Sequence, residues 1–402
     1  MALLCTWTLP LPASHPLRSL FSRTLFSLFS LLLACTVVGH AQMKLLSPQT
    51  GWAQFGVHLY VTKDGGTHWS DISPRATTGA FRNIFNIQFR DESEGWAMTS
   101  VQRAPVAGIP DSQGAEPTIS ILHTQDGGAN WKFIPLDRPQ LPSRVEDSVA
   151  GPTSMYFLDA AHGWISMGFS GLLSPGRLLA TVDGGQTWTW PPSTPPVSGR
   201  IYFSSLDDGW LISNWDDELW ATHDGGQTWD KEIFPIPAGV LPDDRKRFSA
   251  APTFTDDAHG YIAFEYVGQG DISHLAVYKT ESHGKRWHLL SYSAVPQDTR
   301  FALPDTTLIL PVHSAGDELA TKAVPLDSPS LGVALATKQT VETFSFADSI
   351  NGWARMMDGR LLSTQSGGSK WSDITPANER RAKPGRSFVL PTGNRGTDGK
   401  FK

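Results

Sequence analysis

The sequence has little that would cross-link the chain or attract it to nucleic acid. It contains 2 cysteines in 402 residues, Cys5 and Cys35, so the fold lacks a disulfide framework and needs an extensive core. The formal net charge of −6 excludes a general affinity for nucleic acid. Charged residues make up only 18%, and no long stretch places apolar residues at helical spacing. These absences argue against a helical protein and against a nucleic-acid-binding one.

The first forty residues differ from the rest. Basic residues precede an apolar run, Leu25 to Val38, that is short for a membrane span. This pattern predicts an export signal over residues 1–41, with cleavage after Ala41 and no transmembrane segment in the mature chain. The phrase "LLAC", ending at Cys35, resembles a bacterial lipoprotein box and leaves a lipid anchor on Cys35 as the alternative. The sequence therefore predicts an exported protein, either periplasmic or secreted.

What the sequence does contain is turn formers and a repeat. It has 37 glycines, 29 prolines and 15 tryptophans. One phrase places an apolar residue seven positions before a final aromatic or apolar residue, as in "FLDAAHGW". Its seven copies, three of them weak, end at Trp52, Trp96, Trp164, Trp210, Tyr261, Leu308 and Trp353. A period of about 45 residues with short strands is typical of propeller blades.

These repeats predict an all-β fold, a seven-bladed β-propeller of four-stranded antiparallel blades, over residues 42–376. The blades are expected at about 43–74, 83–136, 153–191, 199–236, 251–291, 299–337 and 341–376. Residues 377–402 form a basic, glycine-rich tail. Within it "RSFVLP" (Arg386 to Pro391) either adds a closing strand to the first blade or remains disordered.

A second phrase ends most blades with a "DGG" turn followed by a tryptophan. The full turns begin at Asp64, Asp126, Asp183 and Asp224, weaker ones precede Trp287 and Trp371, and the sixth blade has none. The aspartate can accept hydrogen bonds from its own turn, and the glycines supply positive φ. Each turn offers one carboxylate, whereas an oxygen-ligated cation needs six or more ligands. A structural role is therefore predicted, and neither a metal nor a cofactor is expected.

The phrase "TVDGGQTW" resembles the Asp-box of sialidases and other BNR-repeat proteins. Coupled to "FLDAAHGW", it resembles the photosystem II stability/assembly factor family and its bacterial relatives. The pair of phrases covers Leu45 to about Pro376. The resemblance implies a β-propeller and, for the second family, a non-catalytic protein that binds assembly intermediates of a membrane complex.

Strand order divides the predicted surface. If the strands of a blade are A to D from the axis outward, A–B and C–D loops lie at one end, here the box end. The B–C turns and D–A connections lie at the other, here the connection end. The box end is predicted to be acidic. The connection end is predicted to be basic and to bind a partner, through Arg75, Arg82, Arg103, Arg138, Arg144, Arg245, Lys246, Arg247 and Arg300. Solvated charge without a function is the alternative.

The sequence thus favours a monomeric, non-catalytic scaffold that binds a protein or envelope component. The alternative is a carbohydrate-active protein, a sialidase-like or other Asp-box hydrolase or a lectin, with its site at the channel mouth. The Phe/Tyr-Arg-Ile-Pro phrase of sialidases is absent, and "FRNIF" (81–85) is a poor substitute. Glu265 and Tyr266 are the one adjacent pair suited to a Glu-backed Tyr nucleophile. No catalytic residue is assigned.

Overall fold

The computed structural model describes residues 42–75, 83–101, 118–136, 149–169, 176–191, 195–214, 217–241, 244–268, 270–312, 319–326, 328, 335–336 and 340–380. The predicted export signal and the "RSFVLP" segment lie outside these ranges. No described residue is helical, and the strands form seven antiparallel sheets. The fold is a β-propeller.

The strands of sheets 1 to 4 follow chain order. Sheet 1 contains β1 (Met43–Leu45), β2 (Gly51–Phe55), β3 (His58–Thr62) and β4 (Ser70–Asp71). Sheet 2 contains β5 (Asn83–Phe89), β6 (Gly95–Val101), β7 (Thr118–Thr124) and β8 (Lys132–Pro135). Sheet 3 contains β9 (Val149–Phe157), β10 (Gly163–Phe169) and β11 (Arg177–Thr181). Sheet 4 contains β12 (Gly199–Phe203), β13 (Asp208–Ser213), β14 (Leu219–His223) and β15 (Asp230–Lys231).

The remaining strands form sheets 5 to 7. Sheet 5 contains β16 (Arg245–Phe248), β17 (Thr253–Phe254), β18 (Gly260–Val267), β19 (Ile272–Thr280) and β20 (His288–Pro296). Sheet 6 contains β21 (Thr307–Val312) and β22 (Ala320–Pro325). Sheet 7 contains β23 (Val341–Phe346), β24 (Asn351–Met356), β25 (Leu361–Gln365) and β26 (Ser372–Asp373).

Six of the sheets have the predicted four rows. In sheet 3 the fourth row is a single bridge between Ala180 and Thr189. In sheet 5 the first row is split, because β16 and β17 both pair with β18. Sheet 6 departs from the prediction, since its described residues form only β21, β22 and single bridges from β21 to Ala302 and Leu335. The sequence of this blade also lacks the box that ends the others.

Sheets 3 and 5 extend beyond their expected ranges. Sheet 3 begins at Val149 rather than at 153, and sheet 5 spans Arg245–Pro296 rather than 251–291. The charged run at Arg245 was expected in an irregular connection, and this expectation is wrong. Its residues pair in register with β18, Arg247 opposite Glu265 and Phe248 opposite Phe264, so backbone pairing makes this stretch a strand despite its charge.

The first repeated phrase builds the contact between neighbouring sheets. In sheet 4, Phe203 lies directly opposite Gly209. A Cβ atom on Gly209 would lie 2.5 Å from the Phe203 ring, so only glycine leaves room for that ring. Phe203 also stacks on Trp164 of sheet 3, with ring centroids 3.7 Å apart. Phe157 of sheet 3 stacks in the same way on Trp96 of sheet 2, at 4.2 Å.

The first and last sheets meet through the same residue positions. A Cβ atom on Gly51 of sheet 1 would lie 2.4 Å from the ring of Trp353 in sheet 7. The Trp353 ring also packs against Trp69, with centroids 5.5 Å apart. Leu45 and Phe55 of sheet 1 share one buried cluster with Trp353. Sheet 7 therefore packs on sheet 1 with the contact that earlier sheets use along the chain.

The weak copy of the phrase from Phe301 to Leu308 does not share this register. Its spacing would place Phe301 opposite Thr307, by analogy with Phe203 and Gly209 in sheet 4. In the structure Ala302 pairs with Ile309 instead. The absence of the Gly-Trp pair at the end of this copy removes the contact that sets the register elsewhere.

Candidate functional site

The four Asp-box turns share one geometry. At Asp183, Oδ1 accepts hydrogen bonds from the Thr181 hydroxyl and the Thr187 N–H, both at 2.8 Å, and Oδ2 accepts from the Thr187 hydroxyl at 2.6 Å. The equivalent backbone bond, 2.8 or 2.9 Å long, is made at Asp64, Asp126 and Asp224. Both oxygens of the carboxylate are therefore occupied by groups of its own turn.

The weaker boxes of sheets 5 and 7 keep this geometry without a carboxylate. Ser282 Oγ accepts the Arg286 N–H at 3.1 Å, and Ser366 Oγ accepts the Lys370 N–H at 3.0 Å. His283 replaces the first glycine and retains its positive φ, at 56°. Because a serine hydroxyl can take the place of the carboxylate, its charge is not needed to form the turn.

Each box is also tied to the A–B loop of its own sheet. The first glycine of the box donates its N–H to a carbonyl of that loop, as Gly184 does to Ala161 at 2.9 Å. The equivalent donors are Gly65, Gly127, Gly225, His283 and Gly367. These bonds place the two repeated phrases at the same end of the sheets. They define the box end in the structure.

Aspartates of the A–B loops at the box end also bind their own backbone. Asp159 Oδ1 accepts the N–H groups of Ala161 and His162, each at 2.7 Å. The same pattern recurs at Asp91, Asp256 and Asp348. Hydrogen bonds from the His68 N–H, and to a lesser degree from the His68 ring, lower the pKa of Asp64 to about 2. In the part of the chain that the structure describes, no three His, Cys, Asp or Glu side chains gather to hold a metal.

The predicted basic residues fall into four groups, one of which is the half-buried Arg300. Arg82, Arg103, Arg138 and Arg144 lie outside the described residues. Arg75 is exposed just after β4. Arg245, Lys246 and Arg247 lie along β16, and Lys246 lies over the ring of Tyr266, 6.0 Å from its centroid. Alternate side chains of a strand point to opposite faces of the sheet. The side chain of Lys246 therefore lies on one face of sheet 5, and those of Arg245 and Arg247 lie on the other.

Arg247 takes part in an internal ion-pair cluster. One nitrogen of its guanidinium contacts Glu265 and another contacts Asp298. Glu265 is only 1% exposed, and within the described residues its Oε1 has no hydrogen-bond partner. Burial raises the pKa of Glu265, and Arg247 opposes that rise, with a smaller contribution from Arg300. The structure thus brings Arg247 and Arg300 toward one carboxylate, and Arg247 serves the fold here.

Glu265 and Tyr266 do not form a nucleophile pair in this arrangement. They are neighbours on β18, so their side chains point to opposite faces. The Tyr266 hydroxyl bonds the Tyr278 hydroxyl at 2.8 Å, and burial raises the pKa of Tyr266. Tyr278 in turn donates to the Pro235 carbonyl at 2.7 Å. A catalytic tyrosine needs the opposite shift and an adjacent base.

The connection end displays apolar side chains that the sequence analysis did not select. Ile233, Ile236 and Leu241 are 84%, 51% and 65% exposed on the D–A connection between β15 and β16. We call these three the connection patch. Three more exposed apolar residues occupy B–C turns or their margins at this end, namely Val57, Ile272 and Met357. The signal in the sequence was the apolar, proline-rich stretch "EIFPIPAGVLP", which lacks a strand or helix pattern.

The connection patch rests on a rigid base. Phe234, which is 3% exposed, packs against Phe264 and Tyr278 with ring centroids 4.8 and 4.9 Å away. Val240 is buried in the same cluster, between the exposed Ile236 and Leu241. Anchors at both ends therefore hold the exposed residues in place without help from a partner.

The fold and the repeated contacts define this chain as a β-propeller. No protein-family model matches the sequence, and a search of curated proteins finds no match. Solved structures do show similar folds. Across the described residues, no helix has the length and apolar character needed to cross a bilayer.

Two of the similar structures are YCF48 proteins. YCF48 bound to a D1 peptide is 17% identical, with 84% of this chain and 81% of that chain covered and a TM-score of 0.41. YCF48 from Cyanidioschyzon merolae is 18% identical, with 83% of each chain covered and a TM-score of 0.39. A third structure, the GH74 xyloglucanase from Xanthomonas campestris, has a TM-score of 0.51 at 12% identity. This chain aligns over 84% of its own length and 56% of the xyloglucanase, which supports the propeller fold alone.

Proposed function

We propose that this chain is an exported, non-catalytic, seven-bladed β-propeller that binds a segment of another protein at its connection end. The observation that carries the proposal is the connection patch, with Ile233 at 84% exposure on a well-packed base. Exposed apolar residues on a loop that is anchored to a rigid frame mark protein-binding surfaces. A scaffold that assists assembly, as the resemblance of the repeats implies, is the form of binding we propose.

The distribution of charge supports this choice of surface. The aspartates of the box end are bound to their own turns, as at Asp183 and Asp159. They retain little capacity to coordinate a ligand. At the connection end the exposed apolar Leu241 lies four residues before the exposed Arg245 in the sequence. From the connection patch we expect a partner segment with apolar side chains.

We propose that the chain is exported, either with its signal removed after Ala41 or, as the alternative, with a lipid anchor on Cys35. A periplasmic or secreted scaffold and a lipoprotein differ in mass and in partition into detergent. Mass spectrometry of the mature N-terminus decides between cleavage after Ala41 and a lipidated Cys35.

The binding experiment compares the two ends of the propeller. We would replace Ile233 and Leu241 with Glu and recover partners by cross-linking from the compartment in which the chain resides. The matched control replaces Val182 and Leu206, exposed at the box end, with Glu. We expect the first pair of changes to abolish specific recovery and the second to preserve it. Equal recovery by both variants, each with wild-type thermal stability, would refute the proposed surface.

A second candidate, a carbohydrate-active protein, rests on the cluster at Arg247. Glu265 is buried with a raised pKa, and the more exposed Asp298 shares its arginine. Glycoside hydrolysis uses a pair of carboxyl groups, and Glu265 and Asp298 are such a pair on one arginine. Turnover of any member of a glycoside panel, lost in Glu265→Gln at unchanged stability, would favour this candidate over the scaffold.

A further inference from the structure

The outermost strand of sheet 5 differs from those of the other sheets. β20 has 9 residues, whereas β4, β15 and β26 have 2 each and β8 has 4. From Leu289 to Val295 it contains no charged side chain. It pairs only with β19 among the described strands. Proteins usually keep edge strands short or charged because an open edge recruits another strand.

The open edge of β20 can be located to individual residues. The Gln297 N–H donates to the Asp271 carbonyl oxygen at 2.8 Å. This bond fixes which alternate residues of β20 direct their backbone groups toward β19. By this alternation the backbone N–H and C=O groups of Ser293 and Ser291 also face β19, where these residues lie opposite Leu275 and Val277. The backbone N–H and C=O groups of Tyr292 and Ala294 therefore point away from the sheet. Both side chains are exposed, Tyr292 to 37%.

This edge is complementary to itself. We propose that two copies of the chain pair antiparallel through β20, about a two-fold axis at Ser293. Tyr292 of one copy then lies opposite Ala294 of the other, so each large side chain faces a small one. The two Tyr-Ala pairs supply about four backbone hydrogen bonds. An uncharged strand has no like charges to oppose this pairing.

The dimer departs from the monomer expected from the sequence. It uses the outer edge of sheet 5 and leaves the connection patch on a different element. A test of the dimer is therefore independent of the proposed partner binding. One pair of strands buries little area, so we expect a dissociation constant on the order of 10 μM.

Sedimentation of the full chain over about 1–100 μM tests the proposal. Ala294→Pro removes an outward N–H without breaking the ladder to β19, and Tyr292→Lys places a charge on the edge. We expect each to weaken dimerisation at least tenfold. Phe133→Lys, on the exposed outer strand of sheet 2, is the matched control and should dimerise like the wild type. Thermal unfolding of each variant verifies that it folds.

Cross-linking tests the register. Residues at the two-fold axis form a non-hydrogen-bonded pair with Cα atoms about 4.5 Å apart, within disulfide range. Ser293→Cys should give a reducible dimer, whereas Ser291→Cys should not, with the wild type as background for Cys5 and Cys35. A wild-type chain that stays monomeric at about 100 μM would overturn the proposal. So would equal dimerisation of the edge variants and the wild type, or equal cross-linking of the two cysteine variants.

Discussion

The Trp69 side chain of sheet 1 donates a hydrogen bond from Nε1 to the carbonyl oxygen of Ile374 in sheet 7, at 2.7 Å. The same bond joins Trp131 of sheet 2 to Ile72 of sheet 1, at 2.8 Å. In both cases the second glycine of the box leaves room for the isoleucine. Two sheets at opposite ends of the chain thus meet as consecutive sheets do, and this contact closes the ring.

This equivalence predicts equal costs for breaking the bond at the two positions. Trp69→Phe and Trp131→Phe each leave an isoleucine carbonyl without its donor. We expect each to lower the free energy of unfolding by about 1–2 kcal/mol, measured by urea denaturation. A destabilising Trp131→Phe alongside a neutral Trp69→Phe would mean that the ring is open in solution.

The box carboxylate is predicted to stabilise its turn and nothing else. Asp183→Ala should lower stability by about 1 kcal/mol, because the Thr187 N–H loses its acceptor. Asp183→Ser should recover part of this loss, since Ser282 and Ser366 accept the same bond in sheets 5 and 7. Urea denaturation of the two variants measures the difference. Loss of partner binding at unchanged stability would contradict a purely structural aspartate.

Arg247 is predicted to matter for stability more than for binding. Arg247→Ala leaves Glu265 buried without its charge partner and should cost about 3 kcal/mol at neutral pH. The control Arg75→Ala removes an exposed arginine and should change stability by less than about 0.5 kcal/mol. The double variant Arg247→Met with Glu265→Leu should recover most of the loss in urea denaturation. Equal effects of the two single changes would show that the cluster contributes nothing.

Stability should depend on pH through Glu232. Burial raises the pKa of Glu232 to about 7. The Trp287 side chain opposes this rise, and the charge of Asp230 adds to it. The folded chain then binds more protons than the unfolded chain between the ordinary pKa of 4.5 and about 7, so stability falls as pH rises through that window. Asp64, with its lowered pKa, acts oppositely and loses its contribution as pH falls from 3.8 toward about 2.

The variant Glu232→Gln isolates the first effect. It should flatten the decline in unfolding free energy between about pH 4.5 and pH 7 while leaving the loss below about pH 4 intact. Urea denaturation across this range is the measurement. An unchanged slope in the variant would place the titrating group elsewhere.

Local phrases predicted much of the fold. Phe203, Gly209 and the box at Asp224 recur at fixed spacing because each blade needs the same stacking pair and the same turn. Four rows of strand follow from that repeat in six sheets. The incomplete rows of sheet 6 and the strand β16 were not predicted, because sheet 6 carries only a weak copy of the phrase without its Gly-Trp pair and β16 lies outside the phrase. Backbone pairing with β18 overrides the charge of Arg245 to Arg247, and no local pattern reveals such pairing.

The candidate site was less predictable. Arg247 belongs to an ion-pair cluster only because Glu265 and Asp298, 18 and 51 positions away, come to its side chain. The exposure of Ile233 depends on Phe234 filling the aromatic cluster between sheets 4 and 5. The sequence shows that these side chains are charged or apolar, but not which way each one points.

By itself the sequence determined the repeating unit, because turn chemistry and the room needed by a stacked ring act within a few residues. Only the tertiary structure decided which charged side chains form internal ion pairs, which strand edges are unpaired and which apolar side chains are exposed. Those outcomes depend on which distant strands become neighbours, and the range of a short repeat does not reach that far.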